Sequence, residues 1–251
     1  MLVPIHPKCF NRKESLTQFN SLHIILFMKH IFLSFILLGT ILSCTTKNDR
    51  LLDNAPQELP VAHVDFDTTQ LSKTAEMLNE DTYWAIIDRS LKATNNQEDQ
   101  EQFLIAEIEK ISPKEIIGFR LRTDKLLYDT YTSEMWCAGY IMNGGCSDDG
   151  FEYFRCWVIS RGKDTYYKTK ANPDYLIHEV VENADYYEFE LFWYVALEAF
   201  EHTTGVDLYN YIDNEKFTTA EGSYPEFKFT WQEENPESMK KICPKLFEAF
   251  E

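Results

Sequence analysis

Basic residues are scarce in this chain: 24 lysines and arginines stand against 41 aspartates and glutamates, a formal charge of -17 over 251 residues. Residues 1–44 hold Lys8, Arg12, Lys13 and Lys29 with Glu14 as their one acid, so everything after them is more acidic still. Such a surface repels phosphate backbones, which argues against nucleic acid as a partner and favours a basic partner, loosely held cations or simple solubility. Metal-ligand spacings are missing too. No pair of histidines sits at zinc spacing, and no segment alternates carboxylates towards a terminal glutamate as a calcium loop does, so neither a metal nor a cofactor is expected. There is no internal repeat and no low-complexity tract. The apolar run Ile31–Leu42 is too short to cross a bilayer as a helix, which takes about 20 residues. What the chain does have is apolar and aromatic content sufficient for one sizeable core, at a length that suits one domain rather than two.

That apolar run follows Lys29 and His30 and ends at Ile41-Leu42-Ser43-Cys44, a small residue before a cysteine. Its length suits the apolar region of a secretory signal. The ending resembles the lipobox of bacterial lipoproteins, in which cleavage leaves a lipid-modified cysteine as the first mature residue. On that resemblance Cys44 is the anchor, and the protein is expected in a bacterial cell envelope, held to a membrane and facing the periplasm or the surface. The departure is Leu42, bulkier than is usual there. Met28 is a second candidate start, since Met28-Lys29-His30 alone opens a compact signal. Residues 45–76 turn polar around Pro56 and Pro60 and read as a semi-extended tether. Residues 77–251 read as the folded domain.

Helical periodicity dominates that domain. Tyr83, Trp84, Ile87 and Leu91 recur at three- and four-residue intervals behind a cap at Asn79, and Phe103, Leu104, Ile108 and Ile111 form a second stripe between Gln97 and Lys110. Ser112-Pro113-Lys114-Glu115 spells a capping box with proline at the first helical position. The helix it opens carries Ile116, Ile117, Phe119, Leu126 and Leu127 inward, with Arg120, Arg122 and Lys125 on a flank expected to be solvated. Glu134–Met142 reads as a short helix ended by Asn143-Gly144-Gly145. Phe151, Phe154, Trp157 and Val158 mark the next. Phe189, Phe192, Trp193, Ala196, Leu197 and Phe200 suggest one long helix closed by Gly205. Phe227, Phe229 and Trp231 alternate as a short strand would, and Met239–Phe250 is an amphipathic stretch interrupted by Pro244. The expected class is all-α, a single multi-helix domain with a short strand near the C-terminus.

The run from Trp136-Cys137-Ala138-Gly139-Tyr140 through Asn143-Gly144-Gly145-Cys146-Ser147-Asp148-Asp149-Gly150 to Phe151-Glu152-Tyr153-Phe154-Arg155, continuing at Trp157, Ile159, Ser160 and Gly162, resembles a bacterial family known as domain of unknown function 4240. Tyr83-Trp84-Ala85-Ile86-Ile87-Asp88 is similar to that family's first helix, and Phe192, Tyr194, Val195 and Ala196 to a later one. The resemblance spans about residues 79–212. Cys137 and Cys156 depart from the pattern, which favours glycine or another small residue there. The resemblance implies no settled activity.

Three readings compete for the central loop. In the first it is a fold device: Ser147 or Asp148 caps a helix, Asp148, Asp149 and Glu152 complement the positive end of its dipole, and Arg155 pairs back across the turn. In the second it binds a peptide, sugar or protein loop, with the glycines admitting close approach and Asn143, Cys146, Asp148, Asp149, Glu152 and Arg155 converging beside Trp136, Tyr140 and Tyr153. In the third it is a hydrolase, using Cys146 with His178 or His202, or Asp148 with Glu152 as acid and base. Disulfides among Cys137, Cys146, Cys156 and Cys243 are open to an exported domain. The reading carried forward is a lipid-anchored recognition domain that uses the Asn143–Arg155 loop, with the hydrolase as the alternative.

Overall fold

The computed structural model describes residues 66–182, 184, 186–220 and 222–250, all within one unit, Pro60–Glu251. The expected signal segment, Cys44 and the first part of the expected tether lie outside the described residues. Nine α-helices follow in order among those described: α1 (Glu80–Ala93), α2 (Gln97–Ile108), α3 (Pro113–Asp129), α4 (Ser133–Asn143), α5 (Asp148–Ser160), α6 (Lys163–Ala171), α7 (Val195–Thr204), α8 (Pro236–Ile242) and α9 (Pro244–Phe250). Short 3₁₀ turns at Thr68–Gln70, Pro173–Glu179, Glu190–Trp193 and Leu208–Tyr211 fill the connections. The class is all-α.

The helix starts are local chemistry. Asn79 accepts from the Thr82 amide and Asn96 from the Asp99 amide. At α3 the capping box is complete: Ser112 accepts from the Glu115 amide while the Glu115 carboxylate takes the Ser112 amide at 2.9 Å. Each cap satisfies donors that the first helical turn leaves open, a contribution of about 1 kcal/mol.

α3 is the central helix, packing against α1, α5 and α7. The segment entering α1 crosses it at Gly118, where the Leu78 amide donates to the Gly118 carbonyl at 2.8 Å and a Cβ on Gly118 would lie 2.8 Å from the Leu78 nitrogen. Arg122 clamps the same segment through Nε and Nη2 on the Leu78 carbonyl. Just upstream, Thr74 exchanges backbone bonds with Tyr211 and Asp213. α2 is tied to the end of α5 by buried Gln100, which donates to the Ser90 hydroxyl and the Ser160 carbonyl and accepts from Arg161.

Four expectations need correcting. Arg120 is not on a solvated flank. It is 1% exposed, paired with buried Asp124 at 2.9 Å, donating to the Trp193 carbonyl and lying 3.6 Å over the Trp193 ring. Its spacing of four residues from Ile116 and seven from Leu127 sets it on the buried face of α3, and the ring that encloses its charge arrives from a segment more than 70 residues away. Phe103 is only half-buried, and Ile105 takes its place in the α2 stripe. The long helix from Phe189 is broken, with a 3₁₀ turn at Glu190–Trp193 ahead of α7. The C-terminal strand does not form: the described residues contain only isolated bridges, at Thr74–Ile212 and Gln232–Asn235. Phe227, Phe229 and Trp231 lack a neighbouring strand to pair with. Their rings instead lie edge-on to one another and reach Tyr131, Trp136 and Tyr140.

Candidate functional site

The turn between α4 and α5 is shaped by glycine. Gly144 adopts φ 65°, the left-handed conformation that ends a helix at low cost only for glycine, and the Gly145 amide returns to the Tyr140 carbonyl at 2.9 Å. Ser147 then caps α5, accepting from the Gly150 amide at 3.0 Å. With the cap filled by Ser147, Asp148 and Asp149 occupy the first turn of α5 with their side chains exposed.

Arg155 faces inward. It is 1% exposed, donates to the carbonyls of Leu127 at 2.6 Å and Phe151 at 3.2 Å, and is enclosed by the rings of Phe151, Tyr224 and Tyr131 at 4.5, 4.7 and 5.0 Å. Its charge therefore sits at the carbonyl end of α3, where the helix dipole favours a cation. Trp136 is buried too, stacked on Phe151 at 4.1 Å. Tyr140 leans on Trp231. Glu152 accepts from the Tyr224 hydroxyl at 3.2 Å. Trp136 and Arg155 thus support the loop from beneath, whereas Asn143, Cys146, Asp148 and Asp149 border its outer side.

Sequence reasoning missed the segment that completes this outer side. Asn143 accepts from the Tyr187 amide at 2.8 Å and donates to Glu188, while the Phe189 amide donates to the Tyr153 carbonyl at 2.9 Å. These bonds lay residues 186–190 along the start of α5. Tyr187 and Phe189 point into the core, so Tyr186, Glu188 and Glu190 emerge beside the loop. The two-residue alternation of buried and exposed positions was the available signal, and the helical spacing of the later aromatics masked it.

The resulting surface is acidic with aromatic edges. Tyr153 donates to Glu190 at 3.1 Å, and a Cβ on Gly150 would lie 3.1 Å from the Glu188 carboxylate. Burial, and then the neighbouring Glu190, hold the Glu188 carboxyl above its usual pKa. Burial, reinforced by Glu190, likewise raises the Tyr153 phenol. Tyr186, Leu191 and Tyr194 are exposed along this rim, Tyr186 by 67%. Among the described residues, no lysine or arginine is ion-paired with Glu188 or Glu190.

The chemistry required of a cysteine nucleophile is poorly served here. Burial, with Glu188 adding to it, pushes the Cys146 thiol up to about 12, so little of the thiolate nucleophile is present near neutral pH. His178 packs on Tyr175, and His202 meets Glu109 at 2.8 Å between α7 and the end of α2. Neither is in hydrogen-bond contact with Cys146. No group of three or more His, Cys, Asp or Glu side chains among the described residues is placed to hold a metal.

Fold and site together define an all-α domain built on a glycine-broken, serine-capped turn between two helices of its core. Residues 78–202 match the model of the family described as "Protein of unknown function (DUF4240)", and this stretch of the chain is a domain of that family. No curated protein and no solved structure matches the chain.

Proposed function

We propose that this protein is a recognition domain that captures a basic, apolar-bearing peptide segment of a partner protein, and that a lipid on Cys44 holds it at the bacterial cell envelope. The observation that carries the recognition reading is the juxtaposition of Asp148, Asp149, Glu188 and Glu190 with the exposed rings of Tyr186 and Tyr194. Crowded carboxylates, one of them already held partly against ionisation by burial and by its neighbour, gain when a cation arrives. Tyrosine edges give such a segment apolar contact at small conformational cost.

The test is fluorescence anisotropy with a labelled peptide of alternating arginine and leucine, and with its glutamate-for-arginine counterpart. Capture of the basic peptide alone, weakening with added salt and lost in the Asp148→Asn/Glu188→Gln variant at unchanged melting temperature, supports the reading. Equal capture of both peptides, or capture indifferent to those substitutions, refutes it. The anchor has a separate test. Cys44→Ala should move the protein from the membrane to the soluble fraction, and a variant that still sediments with membranes removes Cys44 from the account.

A further inference from the structure

Two cysteines outside the acidic surface converge. Cys137 lies in the middle of α4, and Cys243 is the residue between α8 and α9, both completely buried. They converge on one backbone group. The Cys137 thiol points at the Met239 carbonyl at 3.9 Å, and the same carbonyl accepts the Cys243 amide at 2.9 Å. The neighbouring Cys137 thiol, followed by burial, pushes the Cys243 thiol up. Nothing in the acidic surface uses this pair. Cys243 also lies beyond the residues matched by the family, so the contact joins the family domain to the C-terminal helix pair.

The rest of that junction is non-covalent. Asp174, buried in the 3₁₀ turn Pro173–Glu179, accepts from the amides of Lys245 and Leu246 at 2.9 and 3.0 Å and so caps α9 from outside. Phe250 at the end of α9 meets Tyr187 edge-on. The helix pair is therefore seated by one carboxylate, apolar packing and the two thiols.

We infer that Cys137 and Cys243 are a cystine-forming site, at which a disulfide oxidant joins the C-terminal helix pair covalently to α4. One cysteine, as its thiolate, attacks the oxidant disulfide and releases one oxidant thiol, leaving a mixed disulfide. The second thiolate attacks the protein sulfur of that bond, forming Sγ–Sγ and releasing the other oxidant thiol. Two protons and two electrons leave the protein, and one disulfide of the oxidant becomes two thiols. Because both sulfurs are enclosed in the closed state, the reaction proceeds through opening of the α8–α9 pair. Cys146, half-buried in the α4–α5 turn, and Cys156, buried in α5, are not part of the bond.

The experiment uses the full chain, reduced, then incubated at pH 8 with oxidised glutathione at zero and at sub-denaturing urea. Chymotryptic mapping follows, since cleavage after Tyr140 separates Cys137 from Cys146. The expected result is a Cys137–Cys243 crosslinked peptide, lost on adding dithiothreitol, which accumulates faster in urea. Closing a loop of this length should raise the melting temperature of the oxidised chain on the order of 10 °C over the reduced chain. If both cysteines stay alkylatable in urea, or either is found paired with Cys146, Cys156 or glutathione at the end point, the inference is overturned. The reading uses the wild-type chain throughout, so a variant that fails to fold cannot obscure it.

Discussion

Replacing Arg155 tests whether the loop rests on a buried cation or offers one to a ligand. In Arg155→Ala the Leu127 and Phe151 carbonyls lose their guanidinium donors, and the space between the Phe151, Tyr131 and Tyr224 rings is left unfilled. Loss of hydrogen bonds from a charged donor costs about 1.5–3 kcal/mol, and truncating a long buried side chain adds a cavity cost of about 2 kcal/mol. A total of about 4 kcal/mol corresponds to a fall in melting temperature of roughly 8–16 °C for a domain of this size. Arg155→Met keeps most of the stem between the rings and loses only the donors, so its fall should be about half as large. Thermal unfolding followed by near-ultraviolet circular dichroism, which the enclosing aromatics report directly, gives the ranking wild type, then Met, then Ala. If Arg155→Ala melts within about 1 °C of wild type and yet abolishes peptide capture, Arg155 is a ligand contact and the buried-cation account is wrong.

Gly118→Ala drives a Cβ into the Leu78 backbone nitrogen, where no flexible atom can yield; overpacking of this kind should cost about 1–3 kcal/mol in a denaturant titration, and a neutral outcome would show that the 74–78 segment does not cross there. Cys146, with its thiol held up to about 12, should be alkylated by iodoacetamide at pH 8 roughly a thousandfold more slowly than free cysteine and accelerate as pH rises towards 12; a rate matching free cysteine would revive it as a nucleophile. Asn143→Ala removes the acceptor of the Tyr187 amide at a cost of about 1–2 kcal/mol and loosens residues 186–190. Hydrogen exchange of the Phe189 amide should therefore quicken more than that of α3 amides, and equal protection in the variant would deny Asn143 this role.

Half of the candidate loop was legible from residues alone. The glycine stop at Gly144, a serine cap and exposed aspartates in the first turn all follow from backbone groups within four residues, and the structure places them so. The other half was not. Glu188 and Glu190 reach the loop only because Asn143 and Tyr153 bind a segment more than 30 residues downstream, and no local period announces a bond of that span. The aromatic wall suggested by Trp136 proved to be core for a similar reason, since Phe151 covers it from the next helix.

The sequence by itself determined what short-range physics controls: an acidic chain, an all-α class, and helix ends at Asn79, Ser112 and Gly144, each decided by a side chain or a glycine meeting its own helix terminus. Only the tertiary structure decided what encloses the interior charges and which thiols converge. Arg120 and Arg155 are enclosed by rings that come from distant segments, and Cys137 and Cys243, 106 positions apart in the chain, converge on the Met239 carbonyl. Spacing shows which face of a helix turns inward, but the segment that covers a given charge or thiol arrives from elsewhere in the chain, and local pattern does not name it.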